Sequence, residues 1–284
     1  MQYPLPLLLL LCILILPLSA DTGEEDLGRV STSPGAGDDP AGEPETRSPG
    51  PDPFLRAETA FQMGLREAAA YLLAGDPEDR EAFYDRITLS QEAVTRITDS
   101  LPDTGNQSTV TAATTARTMR AYQSLVPAAT CLFTARDLNG SVDNASVSAF
   151  YRSSDDLLRA IHTLRISCQE TAEGSGTGDP EAILIAGILA GVQDGYAYPV
   201  LNDTDRRDAY LTALNKSEED ILMFTREHPQ ESAGEFFRVA EQIQEAATEM
   251  VTTYEKEGEI LPQSVENLEF LASKLDGRFL YLTA

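Results

Sequence analysis

Residues 70–87 read AYLLAGDPEDREAFYDRI, and residues 197–214 read AYPVLNDTDRRDAYLTAL. The two stretches lie 127 residues apart and align without a gap. Each joins the end of one apolar helix to the start of an amphipathic one through a tight turn. Asp76 before Pro77 is a helix start, because Asp accepts from the first free N–H groups and Pro tolerates the first helical position. Asp52-Pro53 and Asp179-Pro180 repeat that signature, and Asp203 fills the fourth place without a proline. The match extends over both sides of the turn. Ala60, Gly64 and Ala68 recur as Gly187, Gly191 and Gly195, Tyr71 as Tyr198, Phe83 as Tyr210, Ser90 as Ser217 and Val94 as Ile221. Chance pairing of two amphipathic helices would reproduce the apolar seam but not the caps as well. The period exceeds the roughly 20–50 residues of a solenoid repeat, so each copy is a domain-sized unit.

The second helix of each copy alternates spacings of four and three. It runs Phe83, Ile87, Ser90, Val94, Ile97, Leu101 in one and Tyr210, Leu214, Ser217, Ile221, Phe224 in the other. Such a seam belongs to a helix packed nearly parallel to its neighbours. The same logic continues through Phe236, Ala240, Ile243, Ala247, Met250, Tyr254 and through Leu261, Val265, Leu268, Ala272, Leu275, Phe279, Leu282. Ser232 followed by Glu235 reads as a capping box opening the first of these. No alternating strand pattern is present. The expectation is an all-α chain of two tandem antiparallel four-helix bundles, residues 52–172 and 179–284, separated by a linker at 173–178. The GSGTG of that linker follows no strand, which rules out a dinucleotide loop.

The first helix of each copy places small residues every fourth position. In a membrane this would mark dimerising helices. Arg66, Glu67, Gln193 and Asp194 interrupt the run, so close backbone approach inside a bundle is expected instead. No segment after the N-terminus reads as long and apolar enough to cross a bilayer.

The stretch 70–87, with its YLLAGDPE turn, resembles the turn between the first two helices of CHASE-type and chemoreceptor extracellular sensor bundles. The likeness covers about 40 residues around the turn, and the second copy keeps it loosely. It implies a helical bundle that binds a ligand. That family's second membrane helix and signalling domain are not read here, so direct signalling is not expected.

Residues 1–20 carry no charge, run apolar through PLPLLLLLCILILPL and end in small residues before Asp21, as a secretory signal does. A basic start is missing, which leaves an uncleaved N-terminal anchor open beside cleavage. Residues 21–51 hold five prolines, six glycines and eight acids, too polar to offset their ordering entropy, and read as a disordered acidic stalk. Five of the six asparagines lie in Asn-x-Ser/Thr sequons: Asn106, Asn139, Asn144, Asn202 and Asn215. Glycosylation there implies a surface position in a chain that crosses a membrane during synthesis. An extracellular protein, secreted or tethered, is expected. With 46 acids against 21 bases and a net charge of −25, nucleic acid and anionic lipid are poor partners. An acidic, lysine-poor, glycosylated chain suits an archaeal cell surface, and a eukaryotic source fits too.

The chemistry of a catalyst is missing. His162 and His228 lie in different copies, no His/Cys set has zinc spacing, and no calcium loop is present. Acid pairs such as Asp155-Asp156 sit on adjacent exposed positions, without the contrasting environments acid–base catalysis needs. No nucleophile elbow occurs. Neither enzyme, cofactor nor metal is expected. The polar residues of interest are Ser90 and Ser217, at equivalent places in the seam, and Arg117 with Arg120, one turn apart. Either serine bonds its own helix carbonyl or lines a pocket for a small ligand, whose anionic group the arginines would complement. The leading function is a glycoprotein binding a small molecule or surface protein; the alternative is a structural or adhesive envelope component without a pocket.

Cys131 and Cys168 are the cysteines left after a signal is removed, and two such cysteines in a secreted protein usually pair. In a straight hairpin turning near Asn139 to Asp143 they would lie roughly 28 Å apart, whereas a disulfide needs about 7 Å between Cα atoms. They pair only if the third helix breaks at Val126-Pro127. Cys168 also fits the seam Phe150, Ser154, Leu157, Ile161, Leu164 as a buried thiol. Both outcomes stay open.

Overall fold

The computed structural model describes residues 52–100, 105–169, 179–227 and 231–283. The apolar N-terminus, the acidic stretch after it, Leu101, the glycine-rich linker and His228 lie outside the described residues. Among the described residues the chain is all-α, with eight helices and no strand: α1 Pro53–Ala74, α2 Pro77–Asp99, α3 Gly105–Asn139, α4 Asn144–Gln169, α5 Pro180–Leu201, α6 Thr204–Glu227, α7 Glu231–Glu257 and α8 Pro262–Leu282.

The aspartate caps set four of the boundaries. The carboxylates of Asp52, Asp76 and Asp203 accept from the N–H groups of Phe54, Glu78 and Asp205 at 2.9 Å, and that of Asp179 accepts from Glu181 at 2.8 Å. The ends of α1 and α5 turn through left-handed residues, Gly75 at φ 82° and Asn202 at φ 51°. Gly and Asn are the residues that tolerate this conformation. A Cβ on Gly75 would also stand 2.8 Å from the Arg136 guanidinium, which crosses the turn and donates to the Leu72 carbonyl. Two sequence expectations need correction. α8 begins at Pro262, so Leu261 is its N-cap residue, 56% exposed, and not part of the seam. α7 begins at Glu231, which places Ser232 within the helix and not at its cap.

α1 and α5 are apolar around most of their circumference and are buried on most sides, as such helices must be. One core gathers α1 to α4, with Phe83 edge-to-face against Phe133 at 5.3 Å and Phe150 at 6.0 Å. The other gathers α5 to α8 around Ile185, Leu189, Ile243, Leu268 and Phe279. The cores touch: α1 gives Met63, Ala69 and Ala70 to the second, and α5 gives Ala197 to the first. α8 runs antiparallel to both α1 and α5. Thr283 meets Arg56 and Asp276 meets Arg66, while Arg278 meets Glu181 and Val265 meets Tyr196. α1 and α5 are therefore parallel neighbours.

α5 corrects the membrane expectation. Its 22 residues hold an 18-residue window with a mean hydropathy of 1.2, long and apolar enough to cross a bilayer by length and composition. Yet 72% of that window is buried inside the protein, which gives its apolar character a source in core packing. α3 runs unbroken through Pro127. The carbonyl that proline cannot serve belongs to Gln123, and both residues lie on the exposed face, where water can take its place.

Candidate functional site

The residues singled out from the sequence are dispersed. Ser90 is fully buried in the first core. Its hydroxyl donates to the Ala57 carbonyl of α1 at 2.7 Å and accepts from the Tyr122 hydroxyl at 2.6 Å. It ties three helices and lines none of the openings among the described residues. Ser217 instead donates to Ala213 of its own helix at 2.8 Å. Arg117 and Arg120 are exposed on α3, far from both serines in role, and Arg120 bonds the Ala116 carbonyl one turn back. Among the described residues no pocket is lined by all four. The side chains of Asn139, Asn144, Asn202 and Asn215 are exposed; Asn106 falls on the first turn of α3. No disulfide joins Cys131, exposed on α3, to Cys168, buried on α4. Burial pushes the Cys168 thiol pKa up. His162 is exposed on α4.

A groove of about 640 Å³ runs between α5 and α6. Ile183, Leu184, Met223 and Phe224 make its apolar walls, and Lys216, Ser217 and Asp220 its polar margin. Ile183 and Met223 are 50% and 56% exposed. Gly187, itself exposed, also lines it, and a Cβ there meets nothing within 4 Å. Four residues along α5 the helices close, and a Cβ on Gly191 would stand 2.8 Å from the Ala213 Cβ. Lys216 forms no ion pair among the described residues.

The corresponding place between α1 and α2 is different. Shifted by the 127-residue offset, Pro180, Ile183, Lys216, Asp220 and Met223 become Pro53, Arg56, Leu89, Ala93 and Arg96. These line a space of about 180 Å³ together with Glu92 and with Thr283 from the end of α8. Thr283 is buried, and its carbonyl accepts from Arg56 at 2.9 Å. A wider groove between α6 and α7 is lined by Glu218, Glu241, Glu245 and Glu249, whose like charges keep it hydrated.

The densest polar arrangement is a buried ion cluster where α1, α2, α5 and α8 meet. The Arg66 guanidinium donates to both oxygens of Asp276 at 3.0 and 2.7 Å, to Glu67 at 2.7 Å and to Glu269 at 3.1 Å. Arg86 reaches Asp276 at 3.4 Å. Glu269 Oε1 is buried without a hydrogen-bond partner, and the Tyr196 hydroxyl beside it donates to the Val265 carbonyl at 3.2 Å. Burial pushes the Glu269 and Asp79 carboxyls well above the usual range, and the charge of Glu67 pushes both further. On the opposite side Arg206 of α6 bridges Asp194 of α5 at 2.8 Å and Asp155 of α4 at 3.0 Å, beside an unpartnered Tyr151 hydroxyl.

Sequence reasoning passed over this cluster. Arg66 and Glu67 served there only as charges interrupting a small-residue run. The available signal was their place in the stretch 63–74, whose other residues are all apolar or glycine. Glu269 and Asp276, seven residues apart, flank the α8 seam at Leu268 and Leu275. Compared with models of protein families, with curated proteins and with solved structures, the chain matches none.

Proposed function

We propose that this chain is a non-enzymatic extracellular glycoprotein, secreted or held by its N-terminus, that binds a small amphiphile in the α5/α6 groove. The observation that carries the reading is the contrast between that groove and its counterpart. The α1/α2 space is small and lined by Arg56, Glu92, Arg96 and the chain's own Thr283, whereas the α5/α6 space is larger, more apolar and open above Gly187. Its volume lies within the roughly 300–1,000 Å³ of small-molecule sites. Apolar walls with one unpaired ammonium at the margin suit an alkyl or aryl carboxylate. Exposure of the sequon asparagines with described side chains supports the glycoprotein reading, and the sensor-bundle resemblance of the 70–87 turn supports ligand binding.

The same reading takes α1–α4 and α5–α8 as two four-helix bundles descended from one duplicated unit. Gly75 and Asn202 cap at equivalent places in the same left-handed conformation. Gly64 faces Arg86 as Gly191 faces Ala213, again at equivalent positions. On this view the copies diverged, one closing its groove and the other keeping it.

A second reading, a rigid envelope spacer without a ligand, is favoured by the ion cluster that binds α8 to α1. A thermal-shift screen of the full chain separates them. Decanoate and hydrocinnamate should raise the melting temperature, with free amino acids and neutral sugars inactive. Uniformly absent shifts would favour the spacer.

A further inference from the structure

Three carboxyls and two guanidiniums are packed into one junction, with a fourth carboxyl, Asp79, on its half-buried rim, so their charges cannot balance if all are ionised. α1 supplies Arg66 and Glu67, with 1% and 8% of their side chains exposed. α8 supplies Asp276 and Glu269, 2% and 16% exposed. α2 supplies Arg86, which touches Asp276, and Asp79, which acts on Glu67 and Glu269 through space. Asp76 and Glu78, at the start of α2, add negative potential at Asp79. α5 contributes the Tyr196 hydroxyl, and α7 turns the apolar Ala240, Ile243 and Ala247 toward the same core.

Arg66 gives four of its five N–H donors to three carboxyl groups, and Arg86 reaches Asp276. Asp79 forms no ion pair among the described residues, and the second oxygen of Glu269 has no hydrogen-bond partner. An unpaired carboxylate is poorly tolerated out of water, and such a group takes up a proton instead.

We propose that the junction is a proton-dependent clasp, tight while Asp79 and Glu269 are protonated and looser as they ionise, which governs how firmly α8 holds α1 and α2. Loosening α8 also withdraws Thr283 from the α1/α2 groove. This device stands apart from ligand binding at α5/α6 and does not rest on it.

The direction follows from linkage. A carboxyl whose pKa is raised in the packed state adds stability below its free pKa and loses it as pH rises to the packed value. For Glu269 that window runs from 4.5 to about 8, and for Asp79 from 3.8 to about 7. Above both windows the clasp no longer responds to pH.

Amide hydrogen exchange of the full chain, corrected for the intrinsic rate, reads the opening of α8 against α3 as an internal reference. In the wild type α8 opening should rise about tenfold per pH unit for each proton released, then level off above about pH 8. Glu269→Gln keeps a neutral side chain whose carbonyl still accepts from Arg66. At about pH 8 it should open α8 at least about tenfold less often than the wild type, and match it at about pH 5. Asp79→Asn, on the half-buried rim, should flatten the lower part of the profile. A wild-type profile for α8 that tracks α3 would overturn the clasp. So would a Glu269→Gln protein whose α8 opening differs from the wild type by the same factor at every pH.

Discussion

Arg66 and Asp276, 210 residues apart in sequence, close a two-pronged ion pair at 3.0 and 2.7 Å. Because 1% and 2% of their side chains are exposed, the pair is shielded from the screening that weakens surface ion pairs. It joins the first helix of the described chain to the last. A charge left behind here has no water to turn to.

Arg66→Met should therefore destabilise the protein by about 3–5 kcal/mol, since it leaves Asp276, Glu67 and Glu269 facing one another in a buried site. Arg66→Met with Asp276→Leu should recover much of the loss. Breaking the exposed Arg159–Asp156 pair, 69% and 62% exposed, should change little. Urea unfolding of the three variants measures the difference.

What was legible in the sequence was local. Asp52, Asp76, Asp179 and Asp203 announce their helices because capping acts over two or three residues. The α2 seam is equally visible, and Phe83, Ile87, Ser90, Val94 and Ile97 are all buried. The pairing of Arg66 with Asp276 leaves no local trace, because either charge alone looks like a solvated helix face. Nor does periodicity tell that α1 lies along α5, since both helices are apolar nearly all round. Leu261 shows the opposite failure: it has the right spacing, but the helix starts one residue later.

Ser90 and Ser217 look alike in the sequence and should respond differently to mutation. Ser90→Ala strands the buried Tyr122 hydroxyl and the Ala57 carbonyl, a loss of about 1–3 kcal/mol. Ser217→Ala frees only a carbonyl of its own helix and should cost under about 0.5 kcal/mol. Both are compared by chemical denaturation in unglycosylated protein, because Ser217 completes the Asn215 sequon.

The glycines of α5 should split in the same way. Gly187→Ala meets open space and gains up to about 1 kcal/mol of helix propensity. Gly191→Ala drives a methyl into Ala213 and should lose about 1–3 kcal/mol. Melting temperatures that move in the same direction for both would show that α5 and α6 do not approach as described.

Thiol chemistry tests the α3/α4 hairpin. Ellman's reagent should modify Cys131 quickly in the native protein, with Cys168 slowed by burial and by its raised pKa. In denaturant without reductant both should react. If neither did, the two would be joined, and α3 would have to break at Pro127.

The most direct test of the account is a calorimetric titration of decanoate into the full-length protein and into Gly187→Leu, which places a side chain in the α5/α6 groove. Saturable binding to the wild type is expected, lost in Gly187→Leu while the helical circular dichroism of the variant is unchanged. Absence of binding to the wild type, or equal binding to both, would contradict it.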